Sequence, residues 1–150
     1  MLIRAATPAE AATLSELALR SKAHWGYDEA FLQACRAELT LRPDDVTAQR
    51  ATVAQDGDQV VGFYTLSGHA PEGELGYLYV DPDHLGTGVG RRLWKHAVDT
   101  AQTLNLKRFT IDADPYAEDF YLKMGAVRIG SVPSGSVPGR LLPQMAYNLS

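Results

Sequence analysis

The chain has 150 residues, of which 45% are apolar. This length and composition predict one domain, residues 1–150, with a single well-formed core. A net charge of −4 with scattered basic residues argues against an extended nucleic-acid surface, and no run approaches the ~20 apolar residues of a membrane span. The single cysteine, Cys35, excludes an intramolecular disulfide and a multi-cysteine zinc site, so we expect a cytoplasmic protein without a metal.

The N-terminal third predicts a strand and two helices. Leu2–Ala5 is a short apolar strand, and Thr7-Pro8-Ala9-Glu10 has the N-cap, the first-turn proline and the capping-box glutamate of a helix start. This helix breaks near His24-Trp25-Gly26-Tyr27, and a second helix begins after Asp28. Its buried stripe would comprise Phe31, Leu32, Cys35 and Leu39, which favours a core role for the cysteine over that of a nucleophile.

From Arg50 onward the hydrophobic period changes to that of strands. Arg50–Gln55 and Gln59–Ser67 flank the turn Asp56-Gly57-Asp58, which predicts a hairpin. Glu74–Val80 predicts a third strand, and Pro82 sets its end.

The most informative stretch is Leu78–Trp94, in which three glycines, Gly86, Gly88 and Gly90, separate a strand from a helix. Glycines spaced this closely leave backbone N–H groups unshielded at a helix N-terminus, whose partial positive charge favours an anion. The stretch therefore predicts a phosphate cradle. One face of the helix that follows carries apolar residues for packing on the sheet, namely Val89, Leu93, Ala97, Ala101 and Leu104.

The C-terminal part predicts a parallel strand and an antiparallel end. Arg108–Asp112 follows a crossover helix and would pair in parallel with Glu74–Val80 in a right-handed βαβ unit. Asp114 begins a short helix that ends at Gly125. Two strands, Ala126–Val132 and Arg140–Leu149, flank the loop Pro133–Gly139. The predicted fold class is α+β, an α/β three-layer sandwich with helices on both faces of a mixed sheet.

Two common phosphate motifs do not fit the glycine turn. A P-loop needs Lys-Ser/Thr after its last glycine, whereas Gly90 is followed by Arg91-Arg92. A dinucleotide fingerprint needs G-x-G-x-x-G in the first βα turn, but these glycines have another spacing and lie in the middle of the chain.

Two motifs resemble those of the GCN5-related N-acetyltransferases (GNAT) superfamily. The strand Leu78-Tyr79-Val80, then Asp81-Pro82, then Gly86–Gly90 before a helix, is similar to the family's acyl-CoA-binding motif, and Phe120–Ala126 resembles its Phe-Tyr-x-x-x-Gly-Phe segment. The resemblance extends over nearly the whole chain and implies a GNAT-like acyl-CoA N-acyltransferase fold with a centrally splayed sheet. One departure is Leu85, which stands where the family usually has Arg or Gln.

The resemblance implies an acyltransferase that uses acetyl-CoA as donor and acetylates an amine of a small molecule or peptide by direct attack in a ternary complex. The pyrophosphate would bind the backbone from Leu85 to Gly90 and Arg91, and the Val80 N–H would polarise the thioester carbonyl. The implied cofactor-binding residues are Leu78, Tyr79, Val80, Leu85, Gly86, Thr87, Gly88, Val89, Gly90 and Arg91.

The family's general acid falls on Tyr121, which would protonate the leaving thiolate. Glu74 is the first candidate for the base, and the alternatives are Glu72, His24 and Asp112. Tyr121 as a core aromatic and Glu74 as an ordinary strand-end carboxylate are the competing structural interpretations.

The acceptor itself is not readable from the sequence. His24, Trp25 and Tyr27 lie in the segment that overlies the acceptor pocket in this family, and Arg140 would clamp a carboxylate of the acceptor or pair with a surface acid. A non-catalytic acyl-CoA-binding or sensing module is the alternative function, and a nucleotide-binding protein is a third. A homodimer is possible, with Arg140–Leu149 at its interface.

Overall fold

In the computed structural model, which describes residues 1–149, seven strands form one mixed sheet in the order β1-β2-β3-β4-β5-β7-β6. The strands are β1 (Leu2–Ala5), β2 (Thr52–Asp56), β3 (Gln59–His69), β4 (Glu72–Val80), β5 (Arg108–Asp112), β6 (Val127–Pro133) and β7 (Leu141–Asn148). The helices are α1 (Ala11–Ala23), α2 (Glu29–Leu39), α3 (Pro43–Ala48), α4 (Val89–Thr103) and α5 (Glu118–Lys123). Short 3-10 turns, Pro8–Glu10, Pro82–His84 and Pro115–Ala117, precede α1, α4 and α5.

Helices cover both faces of the sheet, as predicted. Adjacent residues of β3 show this, because Phe63 packs into the core under α1, α2 and α3 whereas Tyr64 packs into the core under α4, and neither ring is exposed. Alternation along a strand sends successive side chains to opposite faces, so the central strands are buried on both sides. The predicted stripe of α4 faces the sheet, with Val89, Leu93, Ala97 and Ala101 buried.

The helix ends follow the predicted capping residues. The Glu10 carboxylate accepts a hydrogen bond from the Thr7 N–H at 2.9 Å, and Asp28 Oδ1 accepts one from the Phe31 N–H at 2.8 Å. Asp114 Oδ1 accepts from the Tyr116 N–H at 2.9 Å. Gly125 has the left-handed conformation, φ 101°, that ends α5.

Two features of the fold lie outside the sequence-based predictions. The short helix α3 was not predicted, although its first-turn Pro43 and the Asp45 carboxylate, which accepts the Arg42 N–H at 2.9 Å, are ordinary start signals. The final strand, named as a possible interface between copies, has no free backbone edge, because β7 pairs with β5 on one side and β6 on the other. The edge strand at this end of the sheet is β6.

The parallel pair at the centre of the sheet is short. β4 and β5 pair only from Glu72↔Arg108 to Glu74↔Thr110, while β4 continues to Val80 along β3. The strands therefore diverge over the C-terminal half of β4, which confirms the predicted splay. Within residues 1–149, no helix is long and apolar enough to span a bilayer.

The start of α1 predicts an acid-sensitive element. Both guanidinium Nη atoms of Arg4 donate to the Glu10 carboxylate at 2.9 Å, and this contact, together with the Thr7 N–H, lowers the pKa of Glu10 to about 2. Because the folded-state pKa lies below the ordinary value of 4.5, this contribution to the free energy of unfolding is present above about pH 4.5 and is lost as the pH falls toward 2.

We therefore expect a Glu10→Gln variant to lose less stability than the wild type when urea unfolding is measured from about pH 5 to pH 2. Glu16→Gln, a change at an exposed position of the same helical region, should follow the wild-type curve. Parallel curves for the Glu10 variant and the wild type would contradict the assignment.

Candidate active site

The divergence of β5 exposes one backbone edge of β4. The Asp81 N–H donates to the Val61 carbonyl at 2.8 Å and the Tyr77 N–H to Thr65 Oγ1 at 3.0 Å, so both point toward β3. Because N–H groups alternate in direction along a strand, those of Leu78 and Val80 point to the opposite side, where β5 has moved away. An extended ligand can form hydrogen bonds with this edge as an added strand would.

The three glycines of the turn have two different roles. Gly86 and Gly88 adopt left-handed φ angles of 77° and 89°, and a Cβ at either would meet no atom within 4 Å. Gly90 instead permits close packing, because its Cβ would lie 3.3 Å from the Phe120 ring and 3.6 Å from Val80 Cγ2. The first two glycines therefore leave open space at the N-terminus of α4, where an anion would be stabilised.

A cavity of about 480 Å³ follows the open edge and the glycine turn. We call it the cradle cavity. Its wall contains the strand end, the turn, the first residues of α4 and the aromatic pair Phe120 and Tyr121. Nine of the ten residues predicted to bind the cofactor line it, namely Leu78, Tyr79, Val80, Leu85, Gly86, Gly88, Val89, Gly90 and Arg91. The tenth, Thr87, turns its hydroxyl to the His84 carbonyl at 2.5 Å.

Tyr121 is the buried hydroxyl group of the cradle cavity. Its side chain packs against Trp94 and Phe120, and only 5% of the residue is exposed. Burial, and in second place the negative charge of Asp114, raises the pKa of Tyr121 above its ordinary value. The phenol is therefore protonated at neutral pH and can donate a proton to a group bound in this cavity.

A second cavity, of about 460 Å³, lies between β4, β5, α2 and the β6–β7 loop. We call it the acidic cavity, because four carboxylates line it against two cationic side chains. The acids are Glu38, Glu74, Asp112 and Asp114, and the cations are Lys22 and Arg140. Burial, followed by the charge of Asp112, raises the pKa of Glu74. Glu74 is thus a stronger base than an ordinary carboxylate.

The two cavities adjoin, because Lys22, Tyr79 and Asp114 line both of them. At this junction the Lys22 ammonium lies 3.1 Å from Asp114 Oδ2, and Arg140 Nη2 lies 3.7 Å from the same oxygen. The Tyr27 hydroxyl donates to Asp114 at 3.0 Å and accepts a hydrogen bond from Arg140 Nη2 at 2.5 Å. We call Lys22, Tyr27, Asp114 and Arg140 the junction cluster.

The sequence analysis missed Lys22 and did not assign Asp114 to the site. A signal for the lysine was present, because Lys22 continues the buried stripe of Leu14 and Ala18 at helical spacing and is itself buried. A charged residue on an apolar stripe needs a buried partner, and Asp114 is that partner.

The predicted acceptor and base residues are spread over different environments. Trp25 lines the cradle cavity and stacks on Tyr116, with ring centroids 5.4 Å apart, while Tyr27 and Arg140 belong to the junction cluster. His24 is exposed and lines neither cavity. Glu72 lies outside both cavities and forms an ion pair with Arg108. Among residues 1–149, no three His, Cys, Asp or Glu side chains lie close enough together to hold a metal ion.

Comparison with known proteins confirms the predicted family. The acetyltransferase (GNAT) domain matches residues 10–147, and the chain therefore belongs to the GNAT acetyltransferases. The peptidyl-lysine N-acetyltransferase YjaB of Salmonella typhimurium is 33% identical over 94 residues, which cover 61% of this chain and 61% of that relative. The alignment thus spans about three fifths of the curated relative's length.

Solved structures confirm the predicted fold. A GCN5-related N-acetyltransferase from Rhodopseudomonas palustris superposes with a TM-score of 0.85 and 25% identity, over 99% of this chain and 95% of that one. PaiA N-acetyltransferase from Thermoplasma acidophilum superposes with a TM-score of 0.83 and 19% identity, over 99% and 98% of the two chains.

The left-handed glycine at the start of α4 predicts a defect in ligand binding. In Gly88→Ala a Cβ would strain the φ of 89° and reorient the N–H groups of the turn, so we expect the Kd for CoA to rise by roughly tenfold, measured by calorimetry. Gly130→Ala is the matched control, since its Cβ also meets open space but its φ is ordinary. Equal CoA affinity in both variants would contradict the proposed cradle.

Proposed function

We propose that this protein transfers the acetyl group of acetyl-CoA to an amine bound in the acidic cavity. The observation that carries the proposal is the meeting of the two cavities at Tyr79, beside the open edge of β4. One cavity has the backbone of an anion cradle and the other has carboxylates suited to an amine. PaiA, which shares the fold, was crystallised with coenzyme A, and this supports the assignment of the donor.

The residues present fit acetyl-CoA on the donor side. The pyrophosphate has the open N-terminus of α4 and the Arg91 side chain available, and the pantetheine amides have the free edge at Leu78 and Val80. Leu85 has no side-chain hydrogen-bond donor where the family usually has one. The pyrophosphate would therefore be bound by backbone N–H groups and by Arg91. The Val80 N–H is available to the thioester oxygen, and one such donor contributes roughly 3–4 kcal/mol in other enzymes.

The transfer requires three proton transfers in addition to the exchange of the acyl group. The acceptor ammonium first gives one proton to Glu74 or, through water, to the pair Glu74 and Asp112. The neutral nitrogen then bonds to the acetyl carbon and the C–S bond breaks. Tyr121 gives its proton to the departing sulfur and regains one from the new amide nitrogen. The products are the acetylamide, CoA thiol and one proton released through Glu74.

Replacing the phenol of Tyr121 tests whether this residue is the general acid, and the same assay tests whether the protein transfers acetyl groups at all. For Tyr121→Phe we expect kcat to fall by about 100-fold, within the range of general acid catalysis, while the Kd for CoA stays within about twofold. Release of thiol from acetyl-CoA across a panel of amines measures kcat, and calorimetry measures Kd.

Tyr147→Phe is the matched control, because Tyr147 packs against Trp94 outside the cradle cavity. An unchanged kcat in Tyr121→Phe would refute the acid. A wild-type chain that binds CoA tightly but releases no thiol with any amine would support the non-catalytic binding module instead.

The pair Glu74 and Asp112 predicts a particular pH dependence. A base works only when deprotonated, so kcat/KM should fall on the acid side at the raised pKa of Glu74. Asp112→Asn removes the neighbouring negative charge and should shift this acid limb to lower pH, whereas Glu74→Gln should abolish it. Glu72→Gln lies outside the cavity and should leave the profile unchanged. A profile unaltered in Glu74→Gln would remove Glu74 as the base.

Two classes of acceptor amine are candidates: the lysine side chain of a peptide and a small-molecule amine. The names of the YjaB relatives support the first class, and the small volume of the acidic cavity supports the second. Several earlier expectations stay predictions, namely the organisation as one domain, a cytoplasmic location, the lack of nucleic-acid partners and a possible homodimer.

A further inference from the structure

We infer that the acceptor is a small amine that also carries a carboxylate, and that Arg140, with Lys22 beside it, binds that carboxylate. This inference rests on the proposed function and narrows its acceptor. It follows from the distribution of charge in the acidic cavity.

The junction cluster holds more positive than negative charge. Lys22 and Arg140 share a single carboxylate, Asp114, at 3.1 and 3.7 Å. The three side chains are only 11%, 17% and 10% exposed, so water screens them weakly. Burial, and after it the charge of Asp114, raises the pKa of Tyr27, the fourth member, so its hydroxyl stays neutral. A buried excess of one positive charge is costly unless an anion approaches it.

The Arg140 guanidinium packs against aromatic rings and has part of its fork available. It stacks on the Phe31 ring at 4.7 Å and on the Tyr27 ring at 5.1 Å from the ring centroids. Arg140 Nη2 donates one hydrogen bond to the Tyr27 hydroxyl. Within residues 1–149, neither Nε nor Nη1 of Arg140 has a hydrogen-bond partner. One edge of the planar group is therefore free, and such an edge matches a carboxylate in geometry and charge.

The remaining acids of the acidic cavity form a region with excess negative charge. Among residues 1–149, no ion pair involves Glu38, Glu74 or Asp112, although all three line the acidic cavity. The cavity thus has one cationic and one anionic region within about 460 Å³, a volume in the range of small-molecule sites. An amino acid satisfies both regions, with its carboxylate at Arg140 and its amine at the acids.

Competing acceptors satisfy only one region. A polyamine would meet the three acids but place further positive charge beside the junction cluster. A lysine side chain within a peptide carries no carboxylate near its amine, so the free edge of Arg140 would be left without a partner.

The test compares acceptors that differ only in the carboxylate. The full chain with acetyl-CoA is assayed for thiol release with α-amino acids and with their carboxamides, for example L-arginine against L-argininamide and L-phenylalanine against L-phenylalaninamide. Nα-acetyl-L-lysinamide represents peptidyl lysine, and spermidine represents polyamines. We expect kcat/KM for at least one carboxylate to exceed that of its carboxamide by at least about tenfold.

Two outcomes of the panel would overturn the inference while leaving the proposed function intact: carboxamides as good as their carboxylates, or the highest kcat/KM for Nα-acetyl-L-lysinamide or spermidine. Absence of thiol release with every acceptor would overturn the proposed function and the inference together.

Variants of Arg140 separate binding of the acceptor from support of the fold. In Arg140→Gln we expect KM for the preferred carboxylate to rise about 10- to 100-fold and the preference over the carboxamide to disappear, while the Kd for CoA measured by calorimetry is unchanged. Arg140→Lys keeps the charge but loses the planar fork, so its KM for the carboxylate should lie between those of the wild type and Arg140→Gln. This second variant keeps the test valid if Arg140→Gln misfolds.

Arg36→Gln, at an exposed position on α2, is the matched control and should behave as the wild type. A KM that rises equally for carboxylate and carboxamide in Arg140→Gln would assign Arg140 a structural role and overturn the inference.

Discussion

The separation of β5 from β4 is the constraint on which the rest of the site depends. A pair of central strands would normally continue its hydrogen bonds, because buried backbone groups without partners are costly. Here the pairing stops at Glu74, and the edge beyond it borders a cavity. The same divergence leaves the β4 edge open beside the cradle cavity, and Tyr79 of this strand lines both cavities. Helices pack on both faces of the sheet around this gap.

The glycine turn acts together with that gap. Gly86 and Gly88 supply left-handed backbone and an unobstructed surface, whereas Gly90 lets α4 approach Phe120 and so brings α5 with Tyr121 against the cradle cavity. The sequence analysis assigned all three glycines to anion binding. In the structure, Gly86 and Gly88 border open space whereas Gly90 packs against Phe120, a residue that no local pattern connects with residue 90.

The junction cluster joins parts of the chain that are far apart in sequence. Lys22 comes from α1, Asp114 follows β5 and Arg140 ends the β6–β7 loop, yet they share one ionic network. Asp114 caps a helical turn, and its charge adds to the larger effect of burial in raising the pKa of Tyr121. The same carboxylate therefore borders both the cradle cavity and the acidic cavity.

The sequence by itself determined the type and order of nearly every element, since hydrophobic period and capping residues act over a few positions. It also determined the donor motif, because the strand, turn and helix start from Leu78 to Arg91 are contiguous and their spacing carries the physics of an anion site. The helix α3 was not predicted, because a helix of six residues is too short to show a clear hydrophobic period. Only the tertiary structure decided which side chains line the acidic cavity together. Lys22, Glu38, Asp114 and Arg140 meet through the folding of distant segments, and their charge balance exists only once they are buried together.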